Sequence, residues 1–123
     1  VWGGGDGTKV QAWDCEYAEQ QHWYIPGDGT IQSSRFPGMC LDADTQGGGR
    51  DGTIVQLWRC ENSPQQHWFF RTDGSDLAIY NQLFLNNGNT VLDRDVRDPG
   101  NGDQIQLWTK NFQPQQWWQV QQD

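Results

Sequence analysis

The ten residues DGTIVQLWRC at 51–60 constrain this chain more than anything else in it, because the phrase is repeated. DGTKVQAWDC stands at 6–15 and NGDQIQLWTK at 101–110. Gln11, Gln56 and Gln106 fall in register, as do Trp13, Trp58 and Trp108, at spacings of 45 and then 50 residues. A second phrase follows each: QQHW ending at Trp23, QQHW ending at Trp68, and QQWW ending at Trp118. A period of this length marks units that bury their apolar faces only against one another. Asp28-Gly29, Asp51-Gly52, Asp73-Gly74, Asn87-Gly88 and Asn101-Gly102 punctuate the units as turns. The stretches between them alternate and show no helical period, which predicts about four short strands per unit and almost no helix. Propellers share the period but need about four or more blades to close. Three units therefore predict a single all-β domain over 1–123, a compact barrel with pseudo-threefold symmetry, divided at 1–26, 27–72 and 73–123.

Strand parity sorts the tryptophans into two sets, because successive side chains point to opposite faces. Val55 and Leu57 share one face and Gln56 and Trp58 the other; Ile105 and Leu107 stand in the same way against Gln106 and Trp108, and Val10 and Ala12 against Gln11 and Trp13. With the aliphatics facing the core, Trp13, Trp58 and Trp108 are expected on the wetter side. The second tryptophan of each unit shares a face with an apolar residue: Trp23 with Ile25, Trp68 with Phe70, Trp118 with Val120. These are expected in the core.

Cys40 and Cys60 flank two strands of the middle unit and make the natural pair among the three cysteines. A bridge needs its beta carbons about 4 Å apart. It would therefore bring Asp42, which shares parity with Cys40, to the side of Gln56 and Trp58. The third unit has Val91 and Lys110 at the cysteine positions, yet keeps an aspartate, Asp93. Aligned on Trp13, Val1 falls at the place of Gln46, so the first unit is expected to be truncated at its N-terminus, with an aspartate missing and Cys15 free or paired further upstream. A disulfide implies an oxidising compartment, hence a secreted protein. A planar ring, a carboxylate and an amide on one face suit a neutral polyol with an apolar side, such as a pyranose.

These residues resemble the ricin B-type lectins, also classed as carbohydrate-binding module family 13. The resemblance rests on CLD at 40–42, GTIVQLWRC at 52–60 and the Gln-x-Trp motif ending at Trp23, Trp68 and Trp118, and it spans essentially the whole chain. It implies a β-trefoil, a barrel capped by hairpins, with up to one sugar site per unit. Carried over to the middle unit, the site residues are Asp42, Gln56, Trp58, Gln65 and Gln66. In the third they are Asp93, Gln106, Trp108, Gln115 and Gln116. The first unit offers Gln11, Trp13, Gln20 and Gln21 without the aspartate. The position before the Gln-x-Trp motif is often asparagine in the family and is Gln20, Gln65 and Gln115 here, which moves the amide by one methylene and bears on the choice of sugar. Gln21, Gln66 and Gln116 could equally hold hairpin backbone amides, and the two roles are compatible.

The implied function is a non-catalytic, multivalent carbohydrate-binding module, for galactose and N-acetylgalactosamine or for xylan-type polysaccharide. The alternative is a protein-binding β-trefoil, a protease inhibitor or receptor ligand, which would not need the repeated Gln-x-Trp and aspartate. The net charge of −8, without a basic cluster, argues against nucleic acid and anionic membrane surfaces. No apolar run approaches a membrane-spanning length. No GxSxG, HExxH or glycine-rich phosphate loop is present, so no catalytic residues, cofactor or metal are expected in this chain, although the ragged start points to a catalytic or toxin domain upstream. The acidic loop with Asp93, Asp95, Asp98 and Asp103 lacks the spacing of a helix-loop-helix calcium site and reads as a solvated loop.

Overall fold

The fold is described from a computed structural model, in which the described residues are 5–7, 10–12, 22–73, 76–85, 90–95, 103–111 and 113–118. Among them the strands are β1 (Gln11–Ala12), β2 (Trp23–Tyr24), β3 (Gln32–Ser33), β4 (Met39–Ala43), β5 (Thr53–Arg59), β6 (Trp68–Asp73), β7 (Asp76–Asn81), β8 (Thr90–Arg94) and β9 (Asp103–Thr109). Short 3-10 turns occupy Thr45–Gly47, Pro64–Gln66 and Pro114–Gln116. Pairing is antiparallel throughout and runs β2-β3-β4-β5-β9-β8-β7-β6, with β1 also on β9.

Two segments repeat residue for residue. β4 and β5 place Cys40 opposite Trp58, Leu41 opposite Leu57 and Asp42 opposite Gln56. β8 and β9 place Val91 opposite Trp108, Leu92 opposite Leu107 and Asp93 opposite Gln106. The repeats dock through their Asp-Gly turns. The Gly7 amide donates to the Leu57 carbonyl at 2.8 Å, and the Gly52 amide donates to the Leu107 carbonyl at 2.8 Å. The aspartate ahead of each glycine caps the same strand two residues on: Asp6 accepts from the Arg59 amide at 2.8 Å, and Asp51 from the Thr109 amide at 2.6 Å. Gly7 (φ 84) and Gly52 (φ 93) sit in the left-handed region, which residues with a Cβ enter only at a cost.

The core forms where parity placed it. Val55, Leu57 and Leu107 are fully buried, with Leu41, Leu92 and Ile105 around them. Trp68 is 2% exposed, and its indole N–H donates to the Leu41 carbonyl at 3.0 Å, so the ring is buried without an orphaned donor. Trp118 makes the equivalent bond to the Leu92 carbonyl at 3.0 Å but is only half-buried, as is Trp23; both pack on the core. Parity misplaces their companions: Ile25 and Phe70 are exposed. Beyond Trp68 both faces of β6 are exposed, Phe69 and Arg71 as well as Phe70, so alternation there no longer separates inside from outside. Val120 and Cys15 lie outside the described residues.

Cys40 and Cys60 are bridged, with their Cα atoms 5.1 Å apart. In the third unit Val91 is fully buried and the Lys110 ammonium lies over two rings, 5.8 Å from the Tyr80 centroid and 5.7 Å from that of Trp117. The covalent link of one unit is thus replaced by cation–π contacts in the next, which are far weaker.

Trp68→Ala is expected to cost about 3–5 kcal/mol by opening a core cavity, and Trp118→Ala less, since part of that ring already meets water. Cys60→Ala, which opens a loop spanning 20 residues, should cost about 3 kcal/mol. Urea unfolding of the three variants checks the order.

Candidate functional site

The opposed pair Asp42 and Gln56 is completed by the 3-10 turn Pro64–Gln66, which follows β5 and folds Gln66 back over it. The Gln66 amide N–H2 donates to the Asp42 Oδ2 at 3.0 Å and to the Arg59 carbonyl at 2.8 Å, while its oxygen accepts from the Glu61 amide at 2.8 Å. The Gln56 amide donates to Asp42 Oδ1 at 3.0 Å. The third unit repeats every bond. Gln116 donates to Asp93 Oδ2 at 3.0 Å and to the Thr109 carbonyl at 2.9 Å, and accepts from the Asn111 amide at 2.8 Å; Gln106 donates to Asp93 Oδ1 at 3.1 Å.

Gln66 and Gln116 are fully buried, with both amide hydrogens engaged. They act as joints that tie the turn, the end of the preceding strand and the aspartate together. Asp42 and Asp93 are 3% exposed, and Gln106 is buried as well. Parity put these residues on the right face but called that face wet; mutual hydrogen bonding is what lets them be dry. An ionised carboxylate has about four acceptor positions, and the glutamines take one on each oxygen, leaving capacity for further donors. Burial pushes both carboxyls above the ordinary carboxylate range. The bonds from Gln56, Gln66 and Gln65 oppose this at Asp42, and those from Gln106 and Gln116 oppose it at Asp93.

Trp58 and Trp108 are half-buried, opposite Cys40 and Val91 respectively. The Trp58 indole N–H donates to Glu61 Oε1 at 3.2 Å. Glu61 lies 4.0 Å from the Arg59 guanidinium, which pairs with Asp6 at 2.9 Å. A Cβ on Gly7 would sit 4.0 Å from the Trp58 ring, so the turn of the first unit lies against that indole. Gln65 and Gln115 are half-buried beside their aspartates' turns. The Gln65 carbonyl accepts from the Asn81 side chain at 2.9 Å, which fastens this turn to β7. Asn81, Asp6 and Glu61 were not singled out from the sequence. They act across unit boundaries or outside the repeated phrases, and only the fold brings them in. Trp13, Gln20 and Gln21 lie outside the described residues; of Gln11 the backbone, in β1, is described. Among the described residues no three His, Cys, Asp or Glu side chains cluster to hold a metal ion.

Fold and site together define a β-trefoil, two of whose units carry a carboxylate–diglutamine joint beside a tryptophan. The chain belongs to the ricin-type beta-trefoil lectin family, a family of carbohydrate-binding domains, whose model matches residues 2–118. A comparison with curated protein sequences found no match. Among solved structures it is similar to ThreeFoil, a designed 3-fold symmetric protein, at 19% identity and a TM-score of 0.77, covering 92% of this chain and 80% of that one. It is also similar to a mosquitocidal holotoxin, at 17% identity and a TM-score of 0.79, covering 96% of this chain and 15% of the toxin. A third is the C-half of an earthworm R-type lectin in complex with GalNAc, at 24% identity and a TM-score of 0.64, covering 94% and 80%. These likenesses establish the β-trefoil.

Gln66→Leu should cost about 2–4 kcal/mol, because it strands the Arg59 carbonyl and the Glu61 amide. It should also raise the Asp42 titration midpoint further, since a bond that favours the ionised form is lost. Carboxyl NMR in wild type should place both aspartate midpoints above 3.8, the ordinary value. The folded state then holds these two protons more tightly than the unfolded chain does. Their contribution to stability is accordingly greatest below the unfolded value and declines as pH rises towards the folded one.

Proposed function

We propose that this domain binds carbohydrate at two equivalent shallow sites, one in the middle unit and one in the third. The observation that carries the reading is the duplicated hydrogen-bond joint: the same carboxylate, held by the same two amides, beside a half-buried tryptophan in each unit. Trp58 and Trp108 are the stacking platforms. Asp42 and Asp93 accept sugar hydroxyls on their remaining lone pairs. Gln56, Gln65, Gln106 and Gln115 contribute amide contacts, and Gln66 and Gln116 act chiefly by aiming the carboxylates. The first unit adds a weaker site through Gln11, Trp13 and Gln21.

Galactose-type sugars and xylan-type polymers are the ligand classes that fit, each pairing a ring face of C–H groups with vicinal hydroxyls. The GalNAc bound by the similar earthworm lectin supports the first class. A buried disulfide cysteine supports a secreted protein. A single ring at each site should bind at about 0.1–1 mM, roughly −4 to −5.5 kcal/mol. Working affinity then comes from several sites on one polymer or glycosylated surface.

Trp58→Ala combined with Trp108→Ala should give a folded protein that is no longer retained on immobilised galactose or insoluble xylan, beyond a residue due to Trp13. Retention by a folded double variant would refute the reading. Retention of wild type should also fall on acidification with a midpoint above 3.8, because the raised carboxyls take up their protons early and lose acceptor capacity.

A further inference from the structure

The strand register lines up further side chains with Trp58. Direct partners in an antiparallel sheet point to the same face. Tyr24 pairs with Gln32, Gln32 with Cys40, and Cys40 with Trp58, so these four form one row across β2, β3, β4 and β5. The row is on the face opposite the core residues Leu41 and Leu57, with Cys40 fully buried between Gln32 and Trp58. It begins at the platform Trp58 and ends at Tyr24, which is 59% exposed. Half-buried Gln32 lies between, its amide nitrogen tied to Thr30 Oγ1 at 3.0 Å. That bond fixes the amide plane and leaves the carbonyl oxygen as an acceptor. Three strand spacings separate the two rings, about 14 Å.

The third unit lays out the same row: Phe69 with Tyr80, Tyr80 with Val91, Val91 with Trp108. Its far end is again an exposed aromatic, Phe69 at 41%. Exposed aromatics scattered singly are ordinary on a protein surface. Here both stand at one register position, each in line with a platform. The centres of the two rows differ. In the third unit the buried Tyr80 is flanked by the Arg71 guanidinium at 5.2 Å and the Lys110 ammonium at 5.8 Å.

We infer that Tyr24 is a second aromatic subsite of the middle-unit site, and that this site takes an oligosaccharide lying across the strands, with one ring on Trp58, another on Tyr24 and the intervening hydroxyls over Gln32. The inference rests on the sugar-binding reading above, and its test separates the two. In a Trp108→Ala background, which silences the third unit, calorimetry is run with xylose and β-1,4-xylo-oligosaccharides of increasing length, and with galactose and galacto-oligosaccharides in parallel. Affinity should rise roughly tenfold from monosaccharide to the length that reaches Tyr24, then level off. Tyr24→Ala should abolish that rise, and Tyr24→Phe, which keeps the ring, should restore it. A rise that survives Tyr24→Ala, or a monosaccharide that binds as well as every longer member, overturns the subsite and leaves the single-ring site standing. Failure of every sugar in both series overturns the sugar-binding reading and the subsite with it.

Discussion

A buried carboxylate gripped by two glutamine amides is the interaction on which this molecule turns. Asp42 or Asp93 alone at that depth would be a heavy cost. With an amide on each oxygen the group becomes a fixed point joining two strands and a turn. The backbone gains from it as well, since the same glutamine satisfies one carbonyl and one amide where the strand gives way to the 3-10 turn. Folding and the proposed recognition therefore share their atoms. The residues that close the turn also hold the carboxylate still and dry, which is the state the proposed recognition of a ligand's hydroxyls requires.

Much of this was legible in the sequence because the chain states it more than once. Repetition identified the units, and alternation put Val55, Leu57, Ile105 and Leu107 in the core and Trp58 and Trp108 on the other face. The Cys40–Cys60 pairing followed from the same alignment. Alternation failed where its premise failed. It assumes one wet and one dry face, whereas β6 beyond Trp68 is exposed on both sides, and the outer face near Asp93 is dry because Gln106 and Gln116 satisfy it from within. Contacts between units were invisible for a different reason. Nothing about Asp6 or Asn81 in the sequence says that it meets Arg59 or Gln65, since that depends on how the units turn about their common axis.

The two described sites are alike in their carboxylates and unlike in their surroundings. One has a disulfide beneath its platform, the other a valine with Lys110 laid over two rings. One indole is tethered to Glu61, where the third unit has Asn111. If both bind sugar as proposed, sites that share a carboxylate joint but differ at the rim would prefer different sugars, and a polymer of mixed composition would suit the pair better than a uniform one.

The Asp-Gly turns carry a consequence for how such a protein can change over generations. Asp6 belongs to the first unit but steadies the strand that bears Trp58 in the second, and Asp51 does the same for the strand that bears Trp108 in the third. Among the described residues the second and third repeats are each finished by the one before it, so neither is a detachable bead. A fourth copy cannot be strung on between these repeats without breaking such contacts. Such a protein is left to rewrite side chains within a fixed number of copies, or to duplicate the domain whole.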